Sequence, residues 1–241
     1  FNDVNDTLFA LAGISRCGKA TSYPANITLT NADGTSRTVN FAVKVNATPY
    51  PVQDITLTPQ MAALLDPAIE IAENNRVANT VTPFTSSPAW SGPFSPPLGQ
   101  KDKDAIITAV FGNKRSYNGG APGLCGHEGQ DFAIDGGTPV YAPAGGKIVL
   151  AEPLHVRGNV IFINHGLGVY SAFFHLSEID VKDGQVVKQG DLLGKVGTTG
   201  FSTGNHLHWS MWAPAGVPDP GLENRQDVYV DPIQWENRTI P

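Results

Sequence analysis

The sequence predicts a mainly β protein in two parts. A small N-terminal β-sandwich with one helix comes first, followed by an antiparallel β-sheet domain. Three observations carry this reading. The 241 residues include 26 glycines and 19 prolines, which punctuate short strands and break long helices. Val39 to Val45 alternates apolar and polar residues, the period of a strand with one buried face. From Ile106 onward, short β-favouring runs recur between glycine turns, and no helix-length periodic segment follows residue 80.

The elements follow in chain order. Ile27-Thr-Leu-Thr alternates, and Asn31-Ala-Asp-Gly34 is a hairpin turn signal leading into the Val39–Val45 strand. The alternation predicts a half-buried antiparallel sheet, so residues 1–82 read as the sandwich module. Asp66-Pro67 opens a helix near 66–79. Asp is a good N-cap, and proline at the first helical position sacrifices no hydrogen bond. Ile69, Ala72 and Val77 form its weak apolar stripe. Residues 83–100 are rich in Pro, Ser and Thr and read as a linker that runs into the start of the next core, because Trp90 and Phe94 are poor solvent-exposed residues. The second domain is assigned to 89–241. Its strands are expected at Ile106–Phe111, Pro139–Ala142, Lys147–Ala151, Asn159–Asn164, Val169–His175, Gln185–Val187 and Leu192–Val196.

Composition narrows the function classes. A net charge of −6 argues against nucleic acid as a main partner, since phosphate binding needs a basic face. No stretch approaches the roughly 20 apolar residues that span a membrane. The chain opens on Phe1 and is read as a mature or trimmed form. Its two cysteines, Cys17 and Cys125, make either one bridge in an exported protein or two buried thiols. The N-x-T sequons at Asn5, Asn26, Asn46 and Asn237 fit the threonine-rich composition and imply no glycan.

Chemistry concentrates in two places. In His206-Leu-His208-Trp, the histidines lie two apart, which on a strand puts both imidazoles on one face, roughly 6.5–7 Å from each other. Upstream, His127-Glu-Gly-Gln-Asp131 places a histidine and an aspartate four apart. On a straight strand these would stand roughly 13 Å apart, too far to share an ion. The glycines argue against a helix, so a bend at Gly129 is needed. One histidine of the H-x-H pair would complete a His, Asp, His set, the pattern of a catalytic zinc with a fourth position open to water. Spacing alone does not choose between His206 and His208.

The ordered motifs bear on that choice. They are Phe111-Gly-x-x-Arg115-x-Tyr117-Asn-Gly, His127-x-Gly-x-Asp131-Phe-Ala, Gly137-Thr-Pro-Val-x-Ala142, Phe174-His175-Leu, Gly190-Asp-x-x-Gly194-x-x-Gly, Gly200-x-Ser-Thr-Gly-Asn-His206-Leu-His208-Trp and Asp231-Pro-x-x-Trp235. Together they resemble the lysostaphin-type, LytM-like zinc endopeptidases that cut peptidoglycan cross-links. The N-terminal strands with Tyr50-Pro-Val-Gln resemble an accessory module of some bacterial members. The resemblance implies a groove-bearing metallopeptidase domain and one Zn2+ held by His127, Asp131 and His208. It leaves His206 and His175 as non-ligand histidines for proton transfer or oxyanion contact, with Tyr117 near the substrate carbonyl. Asn118 and Ser202 are expected near the cleft. Peptidoglycan peptide stems are the implied partner, and periplasm, cell envelope or extracellular space the implied location. Gln130 and Ser210 depart from the family pattern, which usually has an aliphatic residue and Glu there. Cys125 is read as structural, and His155 and His165 as bystanders.

Two other readings compete. One is a non-hydrolytic peptidoglycan-binding or regulatory module on the same fold, which the full set of site residues disfavours. The other takes Val181–Gly194 as the turn of a biotinyl or lipoyl carrier. It leaves the histidines without a role.

Overall fold

A computed structural model describes residues 2–4, 7–217 and 227–236. Asn2–Val4 (β1) pairs with Thr7–Phe9 (β2), and Gly13–Ile14 (β3) follows. Ser22–Thr30 (β4) and Ser36–Lys44 (β5) form a hairpin, and Val52–Ile55 (β6) leads to two helices, Pro59–Leu64 (α1) and Pro67–Val81 (α2). A 3-10 turn at Gly99–Asp104 precedes Ile106–Ala109 (β7), Lys114–Tyr117 (β8), Gly129–Ala133 (β9), Pro139–Tyr141 (β10), Gly146–Leu154 (β11) and Gly158–Gly166 (β12). Then come Val169–Leu176 (β13), Glu178–Ile179 (β14), Val186–Val187 (β15), Leu192–Lys195 (β16), His206–Val217 (β17), Asp227–Val230 (β18) and the short helix Ile233–Glu236 (α3).

The architecture is mainly β with antiparallel sheets, as the sequence predicts. The large sheet runs β15-β11-β12-β13-β17-β9-β7, with β18 also paired to β17 and β3 joining β17 in parallel. A smaller sheet, β10-β16-β14, packs against one face of it. The central strands are apolar at both parities because both faces are covered. On β12, Ile161 and Ile163 point to the core shared with the small sheet, while Val160 and Phe162 point to the opposite cluster, which α2 joins through Val77 and Val81.

The N-terminal region departs from the expected sandwich. Among the described residues, β4 and β5 pair only with each other, closed by Asn31–Gly34 with Gly34 at φ 84°. The alternation is real, but no second sheet among the described residues covers the apolar face. Val39, Phe41 and Val43 are 46%, 46% and 38% exposed. Period two reports a strand; burial needs a partner layer, which the local sequence does not encode. The Asp66-Pro67 start is borne out: the Asp66 carboxylate accepts from the Ala68 amide at 2.8 Å. The buried face of α2 is Glu73, Val77, Thr80 and Val81, not the full stripe through Ile69 and Ala72. The same pairing of a capping side chain with a following proline starts α1 at Thr58-Pro59. Among the sequons, Asn5 and Asn237 lie outside the described residues.

The Pro/Ser-rich run is no loose tether. The Ala89 amide donates to the His165 carbonyl at 2.7 Å and the Phe94 amide to the Trp235 carbonyl at 3.0 Å. Trp90, Phe94 and Leu98 are buried in the main core, where Trp90 and Phe94 pack against Trp235. Proline blocks ladder pairing but leaves side chains free to pack.

His165 is fully buried between the Gly145 carbonyl and the Ser171 hydroxyl, each 2.7 Å away. Burial pushes its pKa down to about 4. The unfolded chain protonates near the ordinary histidine value, so it takes up a proton before the folded chain does. The stability from neutral His165 is therefore complete above pH ~6.5 and is lost as the pH falls towards 4, by about 3 kcal/mol. Denaturant unfolding across this range will show His165→Gln with a shallower pH slope than the wild type.

Candidate active site

The site sits on the α2-side face of the large sheet. Along β17, Leu207, Trp209 and Met211 enter the main core, while His206, His208 and Ser210 face the other way. Asp131 on β9 is the direct cross-strand neighbour of His208, and Phe174 on β13 is its neighbour on the other side. The Phe174 ring stacks on His208 with centroids 4.8 Å apart and planes 4° from parallel.

His127 reaches this row by a bend just before β9. Its backbone is pinned to residues 112–113: the His127 amide donates to the Asn113 carbonyl at 2.7 Å, and the Gly112 amide donates to the His127 carbonyl at 2.9 Å. A Cβ at Gly126 would stand 2.0 Å from the Gly112 carbonyl oxygen, and one at Gly129 would stand 2.2 Å from that of Trp209. Only glycine permits both approaches. The expected bend therefore lies ahead of Gly129, which itself begins a regular strand.

Three ligand atoms converge. His127 Nε2 lies 3.0 Å from His208 Nδ1 and 3.1 Å from Asp131 Oδ1, and His208 Nδ1 lies 2.7 Å from Asp131 Oδ1. The outer ring nitrogens have partners of their own. His127 Nδ1 faces the Val110 carbonyl at 3.3 Å, and His208 Nε2 faces Ser210 Oγ at 2.6 Å. Ser210 in turn donates to the Glu128 carbonyl at 3.2 Å, so its oxygen accepts from His208. This network assigns each ring proton to the outer nitrogen and leaves two lone pairs and a carboxylate facing one another. Such a cluster repels itself without a cation between its members. His127, Asp131 and His208 thus fit a metal ion by donor chemistry as well as by spacing.

The electrostatics agree with that role. Burial favours a neutral Asp131, yet its carboxyl is held well below the usual range, in the charged form that a metal ligand needs. Arg115 also grips its Oδ2. Burial lowers His208 to about 4, keeping it neutral at physiological pH. Behind the site, Glu128 joins Arg16 at 3.3 Å and Arg157 at 3.7 Å, and Arg157 joins Glu73 of α2 at 2.9 Å. Burial opposes the charge on Glu128, but Arg16 and Arg157 outweigh it and hold its pKa at about 2.

The remaining sequence-predicted residues gather here too. His175, at φ 62°, donates Nδ1–H to the Thr199 carbonyl at 2.8 Å and presents Nε2. Burial, with His206 and His208 nearby, lowers it to about 3. His206 faces the Gly204 carbonyl through Nδ1 at 2.9 Å and stands 4.7 Å from His175, ring to ring. Tyr117 meets Phe201 edge-on at 5.9 Å. It lines a cleft of about 320 Å³ together with His127, His175, His208, Arg115 and Arg157. A second lobe of about 260 Å³ contains His206, Ser202, Asn205 and Met61. Asn118 turns away from the cleft, and its side-chain oxygen accepts from the Leu57 amide at 2.8 Å. His155 is exposed. Cys17 and Cys125 form a disulfide across 108 residues, which fixes the Arg16 arm two residues from His127. Arg115 was visible in the Phe111-Gly-x-x-Arg motif without an assigned role. Glu128, Arg16, Arg157 and Glu73 carried no sequence signal, because their pairings join residues 29, 84 and 112 positions apart.

The family description Peptidase family M23 matches residues 125–231. The peptidoglycan DD-endopeptidase ShyA of Vibrio cholerae is 42% identical over 85 residues, 35% of this chain and 20% of ShyA. The matched stretches span between 18% and 27% of the curated relatives' lengths. The crystal structure of a peptidase M23 (described as putative) from Pseudomonas aeruginosa superposes with a TM-score of 0.62 at 27% identity, covering 95% of this chain and 78% of that one. The catalytic domain of lysostaphin from Staphylococcus simulans is 30% identical over 58% of this chain and 97% of its own, with a TM-score of 0.47. Through the domain at residues 125–231, the chain belongs to peptidase family M23.

Proposed function

We propose that the chain is a zinc-dependent endopeptidase that hydrolyses peptide cross-links of bacterial peptidoglycan, with residues 89–241 as its catalytic unit and residues 1–82 as an accessory region. The observation that carries this is the convergence of His127 Nε2, Asp131 Oδ1 and His208 Nδ1 beside two histidines whose Nε2 atoms stay free of backbone partners. The DD-endopeptidase relative supports the substrate class.

His127, Asp131 and His208 would hold Zn2+, which supplies Lewis acidity towards a peptide carbonyl and acidifies water. The protein's own groups do the rest. His206 takes the proton of the attacking water at Nε2 and delivers a proton to the leaving amine. His175, kept neutral by burial, orients that water and contacts the developing oxyanion. Tyr117, whose pKa burial raises, remains a phenol at neutral pH and donates to the carbonyl oxygen. Arg115 orients Asp131 through the carboxylate oxygen that faces away from the two histidines. The Cys17–Cys125 bridge suits an oxidising compartment outside the cytoplasm, where peptidoglycan lies. No helix among the described residues is long and apolar enough to cross a membrane.

Two predictions test these roles. His208→Ala will lose zinc by elemental analysis, whereas His206→Ala will keep it and lose roughly 10²–10⁴-fold in hydrolysis of purified sacculi. An active His206→Ala protein contradicts the base assignment. Ser210→Ala, which removes the acceptor for His208 Nε2–H, will weaken zinc binding by about 10–100-fold in competition with a chelator.

A further inference from the structure

The rim strand that carries Tyr117 is built by the N-terminal region. Among the described residues, β8 pairs with one strand only, β6, in parallel: Val52 with Lys114, Gln53 with Arg115, Asp54 with Ser116 and Ile55 with Tyr117. The contact continues on both sides. The Lys114 amide donates to the Pro51 carbonyl at 3.1 Å, and the Asn118 amide to the Ile55 carbonyl at 3.0 Å. After Tyr117 the chain turns sharply, with Asn118 at φ 50° and Gly119 at φ 73°, closed by the Gly120 amide on the Tyr117 carbonyl at 2.9 Å. A non-glycine residue at positive φ needs its surroundings to hold it there.

Asp54 supplies that hold. One carboxylate oxygen accepts from Ser116 Oγ at 2.6 Å and from the Gly119 amide at 2.9 Å, the positions on either side of Tyr117 and its turn. The Ser116 hydroxyl and the Gly119 amide stabilise the charged carboxylate and lower its pKa. Asp54 does not line the cleft, while its neighbours Gln53 and Ile55 line the second lobe.

We propose that Asp54 is a positioning residue: it clamps residues 116–119 so that Tyr117 presents its hydroxyl to the substrate carbonyl. The accessory region then completes the active site in place of merely covering or targeting it. This rests on the peptidase reading above, and the test separates the two.

The experiment uses the full-length, zinc-loaded chain. Kinetics on a purified cross-linked muropeptide are measured for the wild type, Asp54→Ala, Asp54→Asn, Tyr117→Phe and the Asp54→Ala/Tyr117→Phe double variant. Amide hydrogen exchange over residues 114–120 is followed in parallel. Asp54→Ala should lower kcat by about 10–100-fold with KM nearly unchanged, keep its zinc and speed exchange in the rim. Asp54→Asn, which retains an acceptor, should recover most of the rate. In the Tyr117→Phe background, the Asp54 change should cost little more, since both act through one hydroxyl. An equal kcat loss with and without that hydroxyl, or unchanged exchange, overturns the proposal. A wild-type protein that holds zinc and cuts nothing contradicts the peptidase reading instead, and the exchange comparison still decides whether Asp54 holds the rim.

Discussion

The active end of this protein depends on one constraint: three lone-pair-bearing atoms are held 2.7–3.1 Å from one another inside the fold. Left alone, that arrangement repels. Each member is therefore fixed from behind, His127 by the Val110 carbonyl, His208 by Ser210 and Asp131 by Arg115. The outer contacts choose the tautomer, and the tautomer leaves the inner atoms free to bind a cation. The strands β9 and β17 bring two of the three together by direct cross-strand pairing, and the glycines at 126 and 129 let the third approach.

Around this centre the N-terminal region contributes more than a separate module would. Glu73 on α2, Arg157, Glu128 and Arg16 form a chain of charges behind the ligands, buried at Glu73 and Arg157 and partly exposed at Glu128. Glu73 and Arg157 are its buried members, and breaking their pair by removing one partner strands a buried charge. The Cys17–Cys125 bridge and the β3–β17 pairing tie the same arm to the peptidase sheet. The β6–β8 pairing builds the opposite rim. The cleft between them is thus walled on both sides by residues from the first 82 positions, including Arg16, Glu70, Gln53 and Met61.

How much of this was legible depended on whether the cause was local. Apart from the two-residue β14, strands from Pro139 to Lys195 were readable to within a few residues, because glycine turns and β-branched runs act locally. H-x-H on one strand face followed from period two, and the observed β17 bears it out. The bend before β9 was readable as a need, since His127 and Asp131 cannot meet along a straight strand. Two kinds of fact were not legible. The exposure of Val39, Phe41 and Val43 depends on a missing partner layer, and the charge network depends on contacts across the whole chain. Ser210 illustrates the difference. In the sequence it stands only as a departure from a family pattern, yet its hydroxyl occupies the place where His208 needs an acceptor.

The most direct measurement of the central claim is zinc per chain by elemental analysis, paired with mass spectrometry of the products released from purified peptidoglycan sacculi. The account predicts one zinc per chain and soluble peptides whose masses identify a cleaved cross-link. A protein that neither carries zinc nor takes it up on reconstitution, and that releases nothing, would contradict the ligand assignment and the function built on it.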